Sequence, residues 1–269
     1  MRTLERSVIA KTGNADSCED GIVVTDHYAA VVDGATDKTG ARYDGMAGGR
    51  FAMRILLDAI AGLPAELDAD EAIGRLVDVL AQHIPADLAP ENRPSAAATI
   101  YSASRREIWQ VGDVGFWFDG VERSQPHKLV DRINAAMRAA VLTAELLRGT
   151  PVEELAESDP GREAILPLLT VQGVFANNAD AGQLGYSVLD GREVVRSQVT
   201  IVPVPQGVAE IVIASDGYPE LAPSLDEAER VLKALIAEDP LCIGPLAGTK
   251  GLRPGSASYD DRSYLRLEI

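Results

Sequence analysis

The chain has 269 residues and a formal charge of −16, with 46% hydrophobic and 25% charged residues. That balance is ordinary for a globular protein with a substantial core, and the length allows one large domain or two small ones. The acidic excess excludes a sequence-independent nucleic-acid binder and an anionic membrane surface, both of which need basic residues.

Cys18 and Cys242 form no C-x-x-C pair and suit a reducing compartment; His27, His83 and His127 are scattered without partner spacing. Residues 1–11 mix Arg2, Glu5, Arg6 and Lys11 without an apolar core, unlike a secretory signal. The longest apolar stretch, 164–176, is broken by Pro167, Gln172 and Gly173 and is too short to span a bilayer. The expectation is a cytoplasmic protein.

In chain order, Val8, Ile9 and Ala10 predict a short first strand, and 14–20 a polar turn. Residues 21–24 and 28–32 read as a strand pair. The second stops on Asp33 followed by Gly34, which means either a buried strand delivering a carboxylate to its end or a hairpin turn. Ala52, Ile55, Leu56, Ala59, Ile60 and Leu63 make one helical face that Pro64 stops, and Ile73, Leu76, Val77 and Leu80 mark a second helix. Strands are expected at 95–103, 107–111 and 116–118, with Asp119-Gly120 as a hairpin turn, then a long helix over 128–147. Residues 149–160 read as a loop or weak helix, the candidate insertion or lid. Strands resume at 185–188 and 198–202, separated by an Asp190-Gly191 turn, and at 210–214. Ser224 with Glu227 announces a helix, 251–258 is a loop, and 263–269 is the final strand. Strand groups separated by helix pairs favour antiparallel sheets covered by helices, in one domain of residues 1–269.

Four acidic residues stand at comparable places: Asp33, Asp113 and Asp216 after strands, and Asp260 just before the last one; Glu19-Asp20 sits in the first polar turn. Carboxylates converging over one sheet edge repel unless cations lie between them, so convergence implies metal. All-oxygen ligation points to Mg²⁺ or Mn²⁺. The series resembles the PPM family, the metal-dependent serine/threonine phosphatases of type 2C. The matching segments are Cys18-Glu19-Asp20, Val31-Val32-Asp33-Gly34, Val111-Gly112-Asp113, Ile213-Ala214-Ser215-Asp216-Gly217 and Asp260-Asp261, with Pro94-Ser95-Ala96-Ala97 before the Gly-Asp pair. The resemblance spans residues 19–269.

The resemblance implies an α+β fold, a four-layer αββα sandwich of two central antiparallel β-sheets flanked by helices. It implies a site in which Asp33 bridges two metal ions, the Gly34 carbonyl meets one, and Asp216 and Asp260 complete the other. Glu19 and Asp20 would act through metal-bound waters, and Asp113 would serve a third, weaker ion. The implied reaction is hydrolysis of phosphoserine and phosphothreonine by a metal-bridging hydroxide, with Asp33, Asp216 and Asp260 as the catalytic set. The substrate would be a phosphorylated protein or a small phosphoester, such as a nucleotide or sugar phosphate.

The sequence departs from the family pattern on the phosphate side. No arginine stands shortly before Glu19, where Asn14-Ala15-Asp16-Ser17 lies with only Lys11 nearby; Ala35-Thr36-Asp37-Lys38 replaces further glycine; Val114 follows the Gly-Asp pair; and Asp261 replaces the usual Asn. Lys11, Lys38, Arg42 and Arg262 are candidate replacement cations, each expected more often on a solvated surface. These departures motivate an alternative: a non-catalytic relative that keeps the fold and binds a partner.

Overall fold

A computed structural model describes residues 1–36, 38–118, 121–123 and 128–269. Asp37, the expected Asp119-Gly120 turn and His127 lie outside the described residues. The chain opens with β1 (Arg2–Ile9), β2 (Asp20–Val24), β3 (Tyr28–Gly34), the short pair β4 (Arg42–Tyr43) and β5 (Met46–Ala47), then α1 (Gly48–Ala61) and α2 (Ala69–Ala81). Next come β6 (Ala96–Ser102), β7 (Glu107–Val111), β8 (Gly115–Phe118) and β9 (Val121–Arg123), followed by α3 (Leu129–Leu147), α4 (Val152–Ser158) and α5 (Pro160–Val171). It closes with β10 (Thr200–Pro203), β11 (Glu210–Ala214), α6 (Leu225–Glu238) and β12 (Arg262–Glu268).

Two five-stranded sheets result, ordered β1-β12-β11-β8-β9 and β10-β7-β6-β3-β2, with every strand pair antiparallel. Period-two alternation explains how they stack. On β11, Ile211 and Ile213 enter the core between the sheets, while Val212 and Ala214 face Leu232 of α6. On β3, Ala29 and Val31 enter that same inter-sheet core, while Tyr28, Ala30 and Val32 pack beneath α1 and α2 with Leu56 and Leu76. The layers therefore run α1/α2, sheet, sheet, α6, as the αββα expectation holds.

Several elements differ from the sequence reading. The first strand covers Arg2–Ile9 rather than starting at Val8. It is an edge strand whose Glu5 pairs with Arg266 of β12, so its apolar signal is thin. α2 begins earlier than its apolar stripe because Asp68 and Glu71 form a reciprocal capping box. At 185–188 no strand forms. Asn177 instead takes the Val188 carbonyl and amide through its side chain, and the isolated bridges are Tyr186 with Ala176, which lies in no strand, and Leu189 with Ala96 of β6. The Asp190-Gly191 turn accordingly joins no hairpin. Residues 152–158 are helical, and the apolar stretch after them becomes α5 with Pro167 inside it. Among the described residues, no helix is long and apolar enough to cross a membrane.

The helices α3, α4 and α5 dock on the 239–251 loop through one buried cation. The Arg138 side chain is 1% exposed; Nε donates to both Asp159 oxygens at 3.2 and 3.1 Å, Nη1 to the Cys242 and Gly248 carbonyls, and Nη2 to the Leu241 carbonyl at 2.9 Å. Asp159 both ends α4 and caps α5 through the Arg162 amide, in a left-handed conformation (φ 38°). In the loop itself, Asp239 accepts from the Ile243, Gly244 and Leu246 amides.

Candidate active site

The alternation that fills the inter-sheet core also delivers polar groups to its open end. Continuing from Ala29 and Val31, Asp33 falls on the face of β3 that looks between the sheets; Asp20, its register partner on β2, shares that face with Ile22. From the opposing sheet, Ser215 continues the Ile211–Ile213 series and donates through Oγ to Asp20 Oδ2 at 2.6 Å. The Ser263 amide donates to that same hydroxyl at 2.8 Å. This chain of bonds ties the two sheets together beneath the site.

Glu19 and Asp261 form a second layer. Buried Asp261 accepts the Lys11 amide on Oδ1 at 2.8 Å and the Glu19 amide on Oδ2 at 3.1 Å. Glu19 Oε2 takes the Thr36 hydroxyl at 2.7 Å, whereas Oε1 is buried with no hydrogen-bond partner. Gly34 allows the close packing that makes this possible. A Cβ there would lie 2.3 Å from the Gly49 carbonyl oxygen, so β3 meets the first turn of α1 backbone to backbone. Asp33-Gly34 is thus a strand end rather than a hairpin turn.

The carboxylates are neighbours, and three of them, Asp33, Asp20 and Asp216, resist ionisation. Burial and then the charges of Asp20, Asp216, Asp260 and Asp113 hold the Asp33 carboxyl well above the usual range. Burial, against the Ser215 hydrogen bond and with Asp260 and Asp216 adding to it, pushes Asp20 up to about 8. Asp216 opens to solvent at the rim, yet burial of its carboxyl and the Asp260 and Asp113 charges push it up to about 7. Among the described residues, neither the Asp33 nor the Asp216 carboxylate has an ion-pair or hydrogen-bond partner.

Asp260 and Asp113 are different. Burial alone would raise Asp260, but Lys250 and Lys11 hold it below its ordinary value. Lys250 pairs with Oδ2, and Lys11 Nζ lies 3.3 Å from Oδ1, 3.2 Å from Asp261 and 3.7 Å from Glu19. Asp113 pairs with Lys128 at 2.9 Å. As the side chains stand, no group of three or more His, Cys, Asp or Glu among the described residues forms a metal-holding set. The donor chemistry still fits a hard cation at Asp33 and Asp216, two unpartnered carboxylates with the unpartnered Glu19 Oε1 behind them. At Asp260 and Asp113 lysine ammoniums already supply the counter-charge.

Of the four candidate replacement cations, three are not on a solvated surface. Lys11 is committed to Asp260, Asp261 and Glu19, and Arg262 is buried in a pair with Glu229 at 2.8 Å. Arg42 is exposed on β4. Lys38 is half-buried, donates to the Thr36 carbonyl, and among the described residues pairs with no carboxylate. Burial first, then the positive charges of Lys250 and Arg162, lower it to about 8. Sequence reasoning did not single out Lys250, Arg162 or the hydroxyl of Ser215. Only Ser215, inside the Ser-Asp-Gly segment, carried a local signal.

No family model and no curated protein matches this chain. Solved structures do. The Mycobacterium tuberculosis serine/threonine phosphatase PstP/Ppp matches with a TM-score of 0.50 at 18% identity, covering 98% of this chain and 97% of that one. This is the PPM phosphatase fold. The catalytic domain of PstP in complex with two manganese ions shares the PPM fold with this chain at the same TM-score of 0.50 and 17% identity, over 98% and 97% of the two chains. Stp1 from Staphylococcus aureus shares it at a TM-score of 0.50 and 13% identity, over 100% of this chain and 97% of its own. Within the PPM fold, the residues described above occupy the open end of the sandwich, where β3, β8, β11 and β12 present their termini.

Proposed function

We propose that this chain, as one domain of residues 1–269, is a metal-dependent phosphomonoester hydrolase of the serine/threonine protein phosphatase kind, acting in the cytoplasm. The observation that carries the reading is a pair of opposite electrostatic conflicts, both within reach of the Lys250 charge. Among the described residues, Asp33 and Asp216 are crowded carboxylates in no ion pair, and Lys38 is a crowded ammonium that pairs with no carboxylate. A cation bound at the first and a phosphate bound at the second would relieve both.

Asp33 and Asp216 would hold Mn²⁺ or Mg²⁺, with Glu19 and Asp20 behind them and the Gly34 carbonyl at the strand end. Asp260 is the further carboxylate available to a second ion, in competition with Lys11 and Lys250. The manganese-bound PstP domain is the precedent for the ion type. When bound, such an ion makes water acidic enough to attack phosphorus and offsets charge on the phosphoryl oxygens. The chain's own part is to hold the phosphate through Lys38, with Lys250 and Arg162 adding positive field, and to keep Asp20 fixed in place through the Ser215 hydroxyl. The substrate is a phosphoserine or phosphothreonine side chain, or a smaller phosphoester.

The test is hydrolysis of p-nitrophenyl phosphate with Mn²⁺, Mg²⁺ or EDTA, beside the Asp216→Asn variant. Turnover that needs the ion and falls at least a hundredfold in the variant is expected, on the order of losses seen when a charge-stabilising group is removed. Equal turnover by an Asp33→Asn/Asp216→Asn protein with Mn²⁺ supplied would overturn the reading. A second reading, a non-catalytic partner-binding relative, is favoured by the commitment of Lys11 to Asp261, which withdraws it from phosphate binding. A folded protein inactive under every condition would select it.

A further inference from the structure

Asp113 lies close enough to Asp33 and Asp216 to raise both, so it belongs to the same acidic set, yet it carries its own counter-ion. The Lys128 Nζ stands 2.9 Å from Asp113 Oδ2 and 4.0 Å from Asp131 Oδ2, and 5.0 Å over the centroid of the Tyr186 ring. Two carboxylates and an aromatic face thus fix the ammonium in place, and its side chain is only 18% exposed. A buried ammonium is retained where such partners replace its water.

We infer that the Lys128 ammonium takes the place beside Asp113 that an additional divalent cation would otherwise occupy, so that this part of the site's positive charge is built into the chain. Any ion on the same carboxylate would sit within a few ångström of a fixed positive charge and be repelled. The lysine also stands immediately before the first residue of α3, so the charge arrives with the helices that pack on the 239–251 loop. Metal stoichiometry would then be set by the ions held at Asp33, Asp216 and Asp260, with none added at Asp113. The inference rests on the metal-dependent reading only for the ions at those residues; the occupation of Asp113 is a separate matter.

The experiment is Mn²⁺ titration of the full chain by calorimetry, with bound ion counted independently by electron paramagnetic resonance. Wild type, D113N, K128R, K128M, K128M/D113N and D216N are compared, each checked for folding by circular dichroism. Wild type, D113N and K128R should bind the same number of ions. K128M should bind one more, with weaker affinity, and K128M/D113N should lose it again. A folded D113N protein that binds one ion fewer than wild type overturns the inference, and so does a K128M protein with unchanged stoichiometry. If K128M does not fold, D113N in the wild-type background decides. D216N separates the two ideas: ions lost in D216N with none gained in K128M leave the phosphatase reading standing and remove this one. A wild type without ions, beside a K128M protein that gains one through Asp113, does the reverse.

Discussion

Lys38 is held where an ammonium is least at ease, half-buried beside Lys250 and Arg162 with a backbone carbonyl for company. Its charge is therefore soft. With a value lowered to about 8, the free protein loses this positive charge as pH rises through about 8, well before an ordinary lysine would. If Lys38 grips the substrate phosphate, KM for a phosphoester should climb above pH 8 in wild type and stay flat in Lys38→Arg, because arginine keeps its charge there. Lys38→Met should raise KM about tenfold at pH 7 with a smaller effect on kcat, the equivalent of ~1.4 kcal/mol of uniform binding. A KM unchanged in Lys38→Met would leave the phosphate to other cations.

At the scale of elements, α3, α4 and α5 stay docked because Arg138 answers both a carboxylate and the carbonyls of a loop that has no ladder of its own. Gly251 makes room for it, since a Cβ there would lie 2.5 Å from Arg138 Nη2. The same loop carries Lys250 to Asp260, so the arginine positions a residue of the site without touching it. Arg138→Met removes the charge and strands Asp159 together with three carbonyl oxygens. We expect a loss of about 3 kcal/mol in denaturant unfolding, the scale found when one partner of a buried pair is deleted. Limited proteolysis should cut first within 241–251. Cleavage no faster than in wild type would show that the loop is held by Asp239 and its three amide donors alone.

The whole molecule places a destabilising charge cluster where its two sheets part. Asp20, Asp33 and Asp216 all lie above their ordinary range, so the folded protein retains protons that the unfolded chain has released. Unfolded carboxylates release theirs near pH 4. Stability of the metal-free protein must therefore fall as pH rises from about 4 towards about 8, since more protons are bound in the native state throughout that window. Asp260, lowered by Lys250 and Lys11, runs the other way and contributes stability that is lost only as pH falls through its folded value. Thermal unfolding in EDTA at pH 5 and pH 8 should show the first effect, and Mn²⁺ should remove most of it. At pH 8 without metal, Asp216→Asn should be more stable than wild type by about 1 kcal/mol, a figure discounted for the exposure of that side chain. An Asp216→Asn protein less stable than wild type in EDTA would contradict this account of the cluster.

How much of this was legible beforehand follows from the range of each interaction. Alternation over 28–32 and 210–214, and the stripes of α1, α2 and α6, are local patterns, and they determined the strands, the helices and which face of each is apolar. The same alternation, carried one residue past 28–32 and 210–214, put Asp33 and Ser215 at the end of the inter-sheet core. The order of the acidic segments along the chain matched a known fold, which the solved structures then bore out. The loss of ladder pairing at 185–188 was not legible, because Asn177 replaces it with side-chain bonds. Nor were the counter-ions: Lys11 meets Asp260 across 249 positions of sequence, and Lys128 meets Asp113 across 15 (128 − 113). A charge acts through space and leaves no period in the sequence, so the carboxylates could be named from the chain alone. Which of them were already paired with a lysine, and which stood without an ion-pair partner among the described residues, only the tertiary structure decided.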